Sequence, residues 1–173
     1  MVAYFLILTS LGIVAADTPP APRVRSSHPY IRAMIAEAQV RSATFRHLVS
    51  AIEATDGIVY VEEGDCRHSA RACLPPLVTS GTNFRILRVL VDARQEDWDV
   101  MSDIAHELQH ALEILSERNV RTNDAVFFLY SKTSTDTRDR FETQAATQME
   151  VAVKKEVEAF ARSRSTKGLV RTN

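Results

Sequence analysis

The sequence predicts one small α+β domain, a short antiparallel sheet backed by helices. Two observations carry that reading. The stretches "IVYVEE" (58–63) and "FRILRVLVDA" (84–93) are β-branched and apolar, as strands are. The segments on either side repeat apolar residues at helical spacing, so the order is helix, strand, strand, central helix, C-terminal helix. At 173 residues, 45% hydrophobic and 25% charged, the chain suits a single domain with a sizeable core. A formal net charge of -1, with Lys and Arg dispersed, excludes a nucleic-acid footprint or a membrane-surface patch.

The elements follow in order. Residues 1–16 are apolar from Val2 and end in Val14-Ala15-Ala16, which predicts a signal peptide cleaved after Ala16; a retained anchor or a buried N-terminal segment is the alternative. The run is too short to span a bilayer comfortably as a mature helix, and no stable membrane span is expected after cleavage. Export would place the chain in the periplasm or outside the cell. Residues 17–28 read as a Pro-rich linker with no reason to be ordered, and 29–163 as the folded domain. Within it, Ile31, Met34, Ile35 and Ala38, then Phe45, Leu48, Val49 and Ile52, mark two helical stretches, with Ser42 placed to cap the second. Asp56-Gly57 ends them.

After the first strand come Cys66 and Cys73, which in an oxidising compartment predict a disulfide closing a short loop. His68 lies between them, so a metal role stays open, although the spacing is not that of a structural zinc site. The second strand alternates Arg85, Leu87, Val89 and Val91 against Phe84, Ile86, Arg88 and Leu90, which predicts a face that is wet near its start. Asp97 or Asp99 can cap the central helix, 99 to 118, whose core stripe is Ile104, Leu108, Ala111, Leu112 and Leu115. Trp98 is expected to pack on the core. Residues 125–130 read as a short apolar segment in a connection. Thr135 or Asp136 would cap the last helix, and 164–173 would form a flexible tail.

The chemistry lies in "HELQH". His106 and His110, four apart on a helix, share a face and can present two imidazole nitrogens to one ion. Glu107 lies beside that face, where it can take a proton from a metal-activated water. A polar helix face is the plain alternative, but the amphipathic helix, the preceding strand and the exported context favour metal. A third ligand is needed. Glu113 shares the face of His110 but is seven residues from His106, about 10 Å along the axis at ~1.5 Å per residue, so it suits a supporting role. Glu142 in "DRFETQAATQ" is the better ligand, because Ala145 and Ala146 let its helix pack closely on the first.

These residues resemble the gluzincin group of zinc metallopeptidases, and the order strand, HExxH helix, glutamate helix is similar to the small members called minigluzincins. The resemblance spans about residues 84 to 163 and implies a zincin-like domain with one zinc ion per chain. It implies His106, His110 and Glu142 as ligands, Glu107 as catalytic base, and a peptide or protein substrate. Many gluzincins carry an Asp four residues after the ligand glutamate; here that position is Ala146. The metzincin continuation is absent, with Glu113 at its glycine position. Tyr130 is a candidate oxyanion electrophile, with a core aromatic as its other role. The strand 84–93 would lie beside the cleft and pair with an extended peptide. Two other functions remain open: a zinc-binding domain with little activity alone, latent or needing a partner, and a disulfide-stapled interaction module without metal.

Overall fold

The computed structural model describes residues 21–66, 70–133 and 141–170, with side chains through residue 164. The signal peptide, His68, and the predicted caps Thr135 and Asp136 lie outside the described residues. Among the described residues, ten elements run in the order β1 (Val24–Arg25), α1 (Pro29–Arg41), α2 (Ala43–Glu53), β2 (Gly57–Glu63), β3 (Ala72–Cys73), β4 (Thr79–Ser80), β5 (Arg85–Val91), α3 (Asp97–Ser116), α4 (Asn123–Thr133) and α5 (Gln144–Val170). The α+β class holds. Among the described residues, no helix is long and apolar enough to cross a membrane.

The sheet is mixed, where the sequence predicts an antiparallel one. β2 and β5 pair in parallel from Gly57↔Arg85 to Glu63↔Val91, and β1 joins β2 in parallel through Val24↔Val59. Only the two-residue strands β3 and β4 run antiparallel to β5. The connection 64–84 is the physical reason. It is long enough to carry the chain back to the start of the sheet, as parallel neighbours require, and a hairpin is not. The order β1-β2-β5-β3, with β4 also on β5, leaves β5 flanked on both sides. The edge of β5 opposite β2 is taken at both ends, by β4 at Arg85 and Ile86 and by β3 at Leu90 and Val91, and so is not the free edge the sequence expectation needs. The linker expectation also changes, since Val24 and Arg25 are strand residues and Val24 is buried.

One face of the sheet, made by Val59, Val61, Leu87, Val89 and Val91, packs into the helical core. Helices α1 and α2 contribute the predicted stripes, Ile31, Met34, Ile35 and Ala38, then Phe45, Leu48, Val49 and Ile52, all buried. Ser42 caps α2 as expected, accepting the Phe45 N–H at 2.9 Å. Glu156 of α5 adds a second cap, taking bonds from the Ser42 hydroxyl at 2.6 Å and from Thr44 N–H at 3.1 Å. A carboxylate at a helix N-terminus also meets the positive end of the helix dipole.

The strand face of Phe84 and Arg88 is wet near its start, as expected, whereas Arg85 lies on the buried face. Its side chain is fully buried, and its guanidinium donates to the carbonyls of Ile114, Leu115, Glu117 and Val120 at 2.7–3.1 Å while pairing with Asp56 at 2.6 Å. Those carbonyls belong to the end of α3 and the turn after it, where helical acceptors lack intrahelical donors. A planar group with five N–H donors satisfies them together. Three smaller expectations also shift. Trp98 is 40% exposed and not a core residue. Residues 125–130 are helical, within α4. The backbone of α5 continues to Val170, into the predicted tail.

Candidate metal centre

Helix α3 carries the two histidines because its apolar residues leave one polar stripe. Val100, Met101, Ile104, Ala105, Leu108, Ala111, Ile114 and Leu115 are buried on the other faces. His106 and His110 stand one turn apart with ring centroids 4.9 Å from each other. Glu142 approaches from the residue pair just before α5, not from the helix itself. Thr143 caps α5, its hydroxyl accepting the Ala146 N–H at 3.2 Å. One oxygen of Glu142, Oε1, accepts from the Thr143 N–H at 3.1 Å and the Thr147 hydroxyl at 3.2 Å. The other, Oε2, lies 3.4 Å from His106 Nε2, and Oε1 lies 3.9 Å from His110 Nε2. Of the two small residues expected to let the helices approach, Ala146 is fully buried and Ala145 is exposed.

One donor atom from each of His106, His110 and Glu142 falls within 4.8 Å of the others, a cluster able to coordinate a metal ion. Zinc bonds of about 2.0–2.1 Å in a tetrahedral arrangement separate the donors by about 3.3 Å. The observed 3.4 Å and 3.9 Å are near that value, so small side-chain adjustments complete the fit.

Both histidines are oriented from behind. His106 Nδ1 lies 3.1 Å from Glu150 Oε2, and His110 Nδ1 lies 3.2 Å from Glu113 Oε2. An ionised carboxylate only accepts, so each pair calls for a proton on Nδ1, and a ring carrying that proton alone turns the lone pair of Nε2 toward Glu142. Such carboxylate–histidine pairs are the usual support of a metal-bound imidazole. Glu113 is thus placed for the supporting role, and its other oxygen accepts from the Thr143 hydroxyl at 2.8 Å, tying α3 to the cap of α5.

Electrostatics follow from this crowding of acids around two imidazoles. Burial disfavours protonated His106, but the Glu150 bond and the charges of Glu107, Glu142 and Glu150 outweigh it and raise its pKa. The His106 bond holds Glu150 below the usual carboxylate value, ahead of the opposing effect of burial. Burial pushes Glu113 up, yet the bonds with His110 and Thr143 win and leave it lowered. Glu107 goes the other way. Its side chain is buried on α3, and burial raises its pKa against the pull of His110 and His106. The backbone of Leu74, just after the disulfide, is a smaller influence that lowers it.

Tyr130 is buried, its ring edge-on to His110 at 5.6 Å and stacked on Phe141 at 4.9 Å. Its phenol donates to the His110 carbonyl at 3.3 Å, so it braces the backbone of α3 at His110. Cys66 and Cys73 form the expected disulfide.

The sequence reading missed Glu150, the partner of His106. A signal was present, because Glu150 falls on the same face of α5 as Ala146, Val153 and Val157, all buried. A charge in an apolar stripe needs a partner inside the fold. Glu150 supports a histidine from one turn beyond Ala146, the position where the resembled family carries its Asp. No family model, curated protein or solved structure matches the chain.

Proposed function

We propose that the protein is a zinc-dependent hydrolase, a peptidase of gluzincin type, with His106, His110 and Glu142 holding one zinc ion and Glu107 as the base. The observation that carries this is the convergence of the two Nε2 atoms on Glu142, with each Nδ1 already committed to a carboxylate. Two lone pairs facing a carboxylate at this range repel unless a cation or proton lies among them. His106, His110 and Glu142 would hold the zinc ion, which would supply activation of a water by lowering its pKa to about 7.

The residues of the chain divide the remaining work. The Glu107 carboxylate takes a proton from the attacking water and returns it to the amine nitrogen as the C–N bond breaks. Glu150 and Glu113 keep the two imidazoles in the ligating tautomer. A location outside the cytosol is supported by the apolar run from Val2 to Ala16 and by the Cys66–Cys73 disulfide.

A zinc domain of low intrinsic activity is the second reading, favoured by the commitment of the Tyr130 phenol to a backbone carbonyl. One experiment separates the two. Wild-type protein and Glu107→Gln, both loaded with zinc and assayed for metal content, are incubated with a peptide library. The peptidase reading expects cleavage by the wild type and a loss of about 10²–10⁴-fold in the variant with zinc unchanged. A zinc-loaded wild type that leaves the library intact would replace it with the second reading.

A further inference from the structure

Behind the zinc centre lies a second layer of charge that starts in the disulfide loop. The Cys66–Cys73 bridge closes this loop, and its outgoing end is fixed to β5, with the Asp92 N–H donating to the Arg71 carbonyl at 2.8 Å and Cys73 paired with Leu90. That anchoring sets Arg71 against the first half of α3. Its Nη2 donates to Asp103 Oδ1 at 2.9 Å and to Glu150 Oε1 at 3.2 Å, and its Nη1 lies 3.8 Å from Asp99. Glu150 uses its second oxygen, Oε2, for His106 Nδ1. One carboxylate therefore bridges the guanidinium and the imidazole.

We propose that Arg71 is a positioning residue of the zinc centre, acting through Glu150 on His106; this rests on the zinc reading above. Asp99, Asp103 and Glu150 bring three carboxylates to one end of α3. Lys154 answers Asp99 at 2.6 Å, and Arg71 is the guanidinium shared by Asp103 and Glu150. Without Arg71, Glu150 and Asp103 repel each other, and Glu150 is pushed from the geometry that holds the His106 tautomer. Asp103 stays where it is because it belongs to the buried face of α3, so Glu150 is the partner that moves. A guanidinium suits the position because its fork reaches two acceptors with fixed geometry.

A double-mutant cycle tests the chain of contacts. Zinc affinity is measured by competition with a chromophoric chelator for the wild type, Arg71→Met, Glu150→Gln and the double variant, with the fold of each zinc-free form checked by circular dichroism. Glu150→Gln is expected to weaken zinc about 10–100-fold, as loss of an outer partner does, and Arg71→Met about threefold to tenfold. In the Glu150→Gln background, Arg71→Met should cost nothing more, and Arg71→Lys in the wild-type background should recover part of the loss. A structural role alone would make the two penalties multiply, and that result, or an Arg71→Met affinity equal to wild type, overturns the proposal. Should Arg71→Met fail to fold, Arg71→Gln takes its place. Side-chain nitrogen NMR of zinc-free protein is the second readout: His106 should hold one tautomer in the wild type and a mixture once Arg71 is replaced. A wild type that binds no zinc would remove the zinc reading itself.

Discussion

Two residues illustrate how far side-chain chemistry can be read before a fold is known. The position of Glu107 beside the His106–His110 pair was legible because H-E-x-x-H is a local pattern and a helix fixes its geometry. Arg85 was not, because a charge in an alternating strand reads as solvent-facing while its partners lie about thirty residues on, at the end of α3. Arg85→Met would leave the α3 carbonyls and Asp56 without their donor. The expected cost is about 3–5 kcal/mol of unfolding free energy, measured by urea denaturation, as for a broken buried ion pair. Asp56 supplies a pH signature. The Arg85 bond, opposed by burial and aided by Arg121, holds its folded pKa below the ordinary value of 3.8. A depressed carboxylate contributes stability that is present above the unfolded value and is lost as pH falls through the folded one. Wild-type stability should therefore drop below about pH 4 with a steeper acid limb than Asp56→Asn, and equal limbs in the two proteins would refute the linkage.

At the scale of elements, the helices were the most legible part of the chain. Apolar spacing located α1, α2 and α3 and even the Ser42 cap, because each depends on near neighbours in sequence. Strand pairing depends on how the 64–84 connection runs, which no local pattern records, and so the parallel β2–β5 pair was misread. Glu142 was located but placed on a helix that begins only after it, since the Thr143 cap falls inside a stretch with helical composition. Two predictions belong here. Glu156→Gln weakens the charged cap on α2 and should cost about 1–2 kcal/mol in urea denaturation, with no change in zinc content. Replacing both cysteines by serine should cost about 2–3 kcal/mol from the reopened loop and should also weaken zinc, because that loop carries Arg71 and Leu74 toward α3. Unchanged zinc affinity in the folded double-serine protein would separate the loop from the centre.

The described residues form three parallel strands, β1, β2 and β5, with short antiparallel neighbours on β5, backed by helices, and a polar seam runs between α3 and the start of α5. The seam holds His106, His110, Glu113, Glu142 and Glu150, drawn from two regions of the sequence and locked by Thr143. Burying so many ionisable groups is costly unless something neutralises them, and a dication does so for several at once. Zinc should therefore stabilise the fold, by about 2.7 kcal/mol at a free concentration a hundred times its dissociation constant, seen as a rise in the unfolding temperature. Zinc stoichiometry by elemental analysis tests the account most directly, in the wild type and in His110→Ala and Glu142→Ala. The account predicts about one zinc per chain in the wild type, lost in both variants. A folded wild type that takes up no zinc when supplied with it would contradict the central claim.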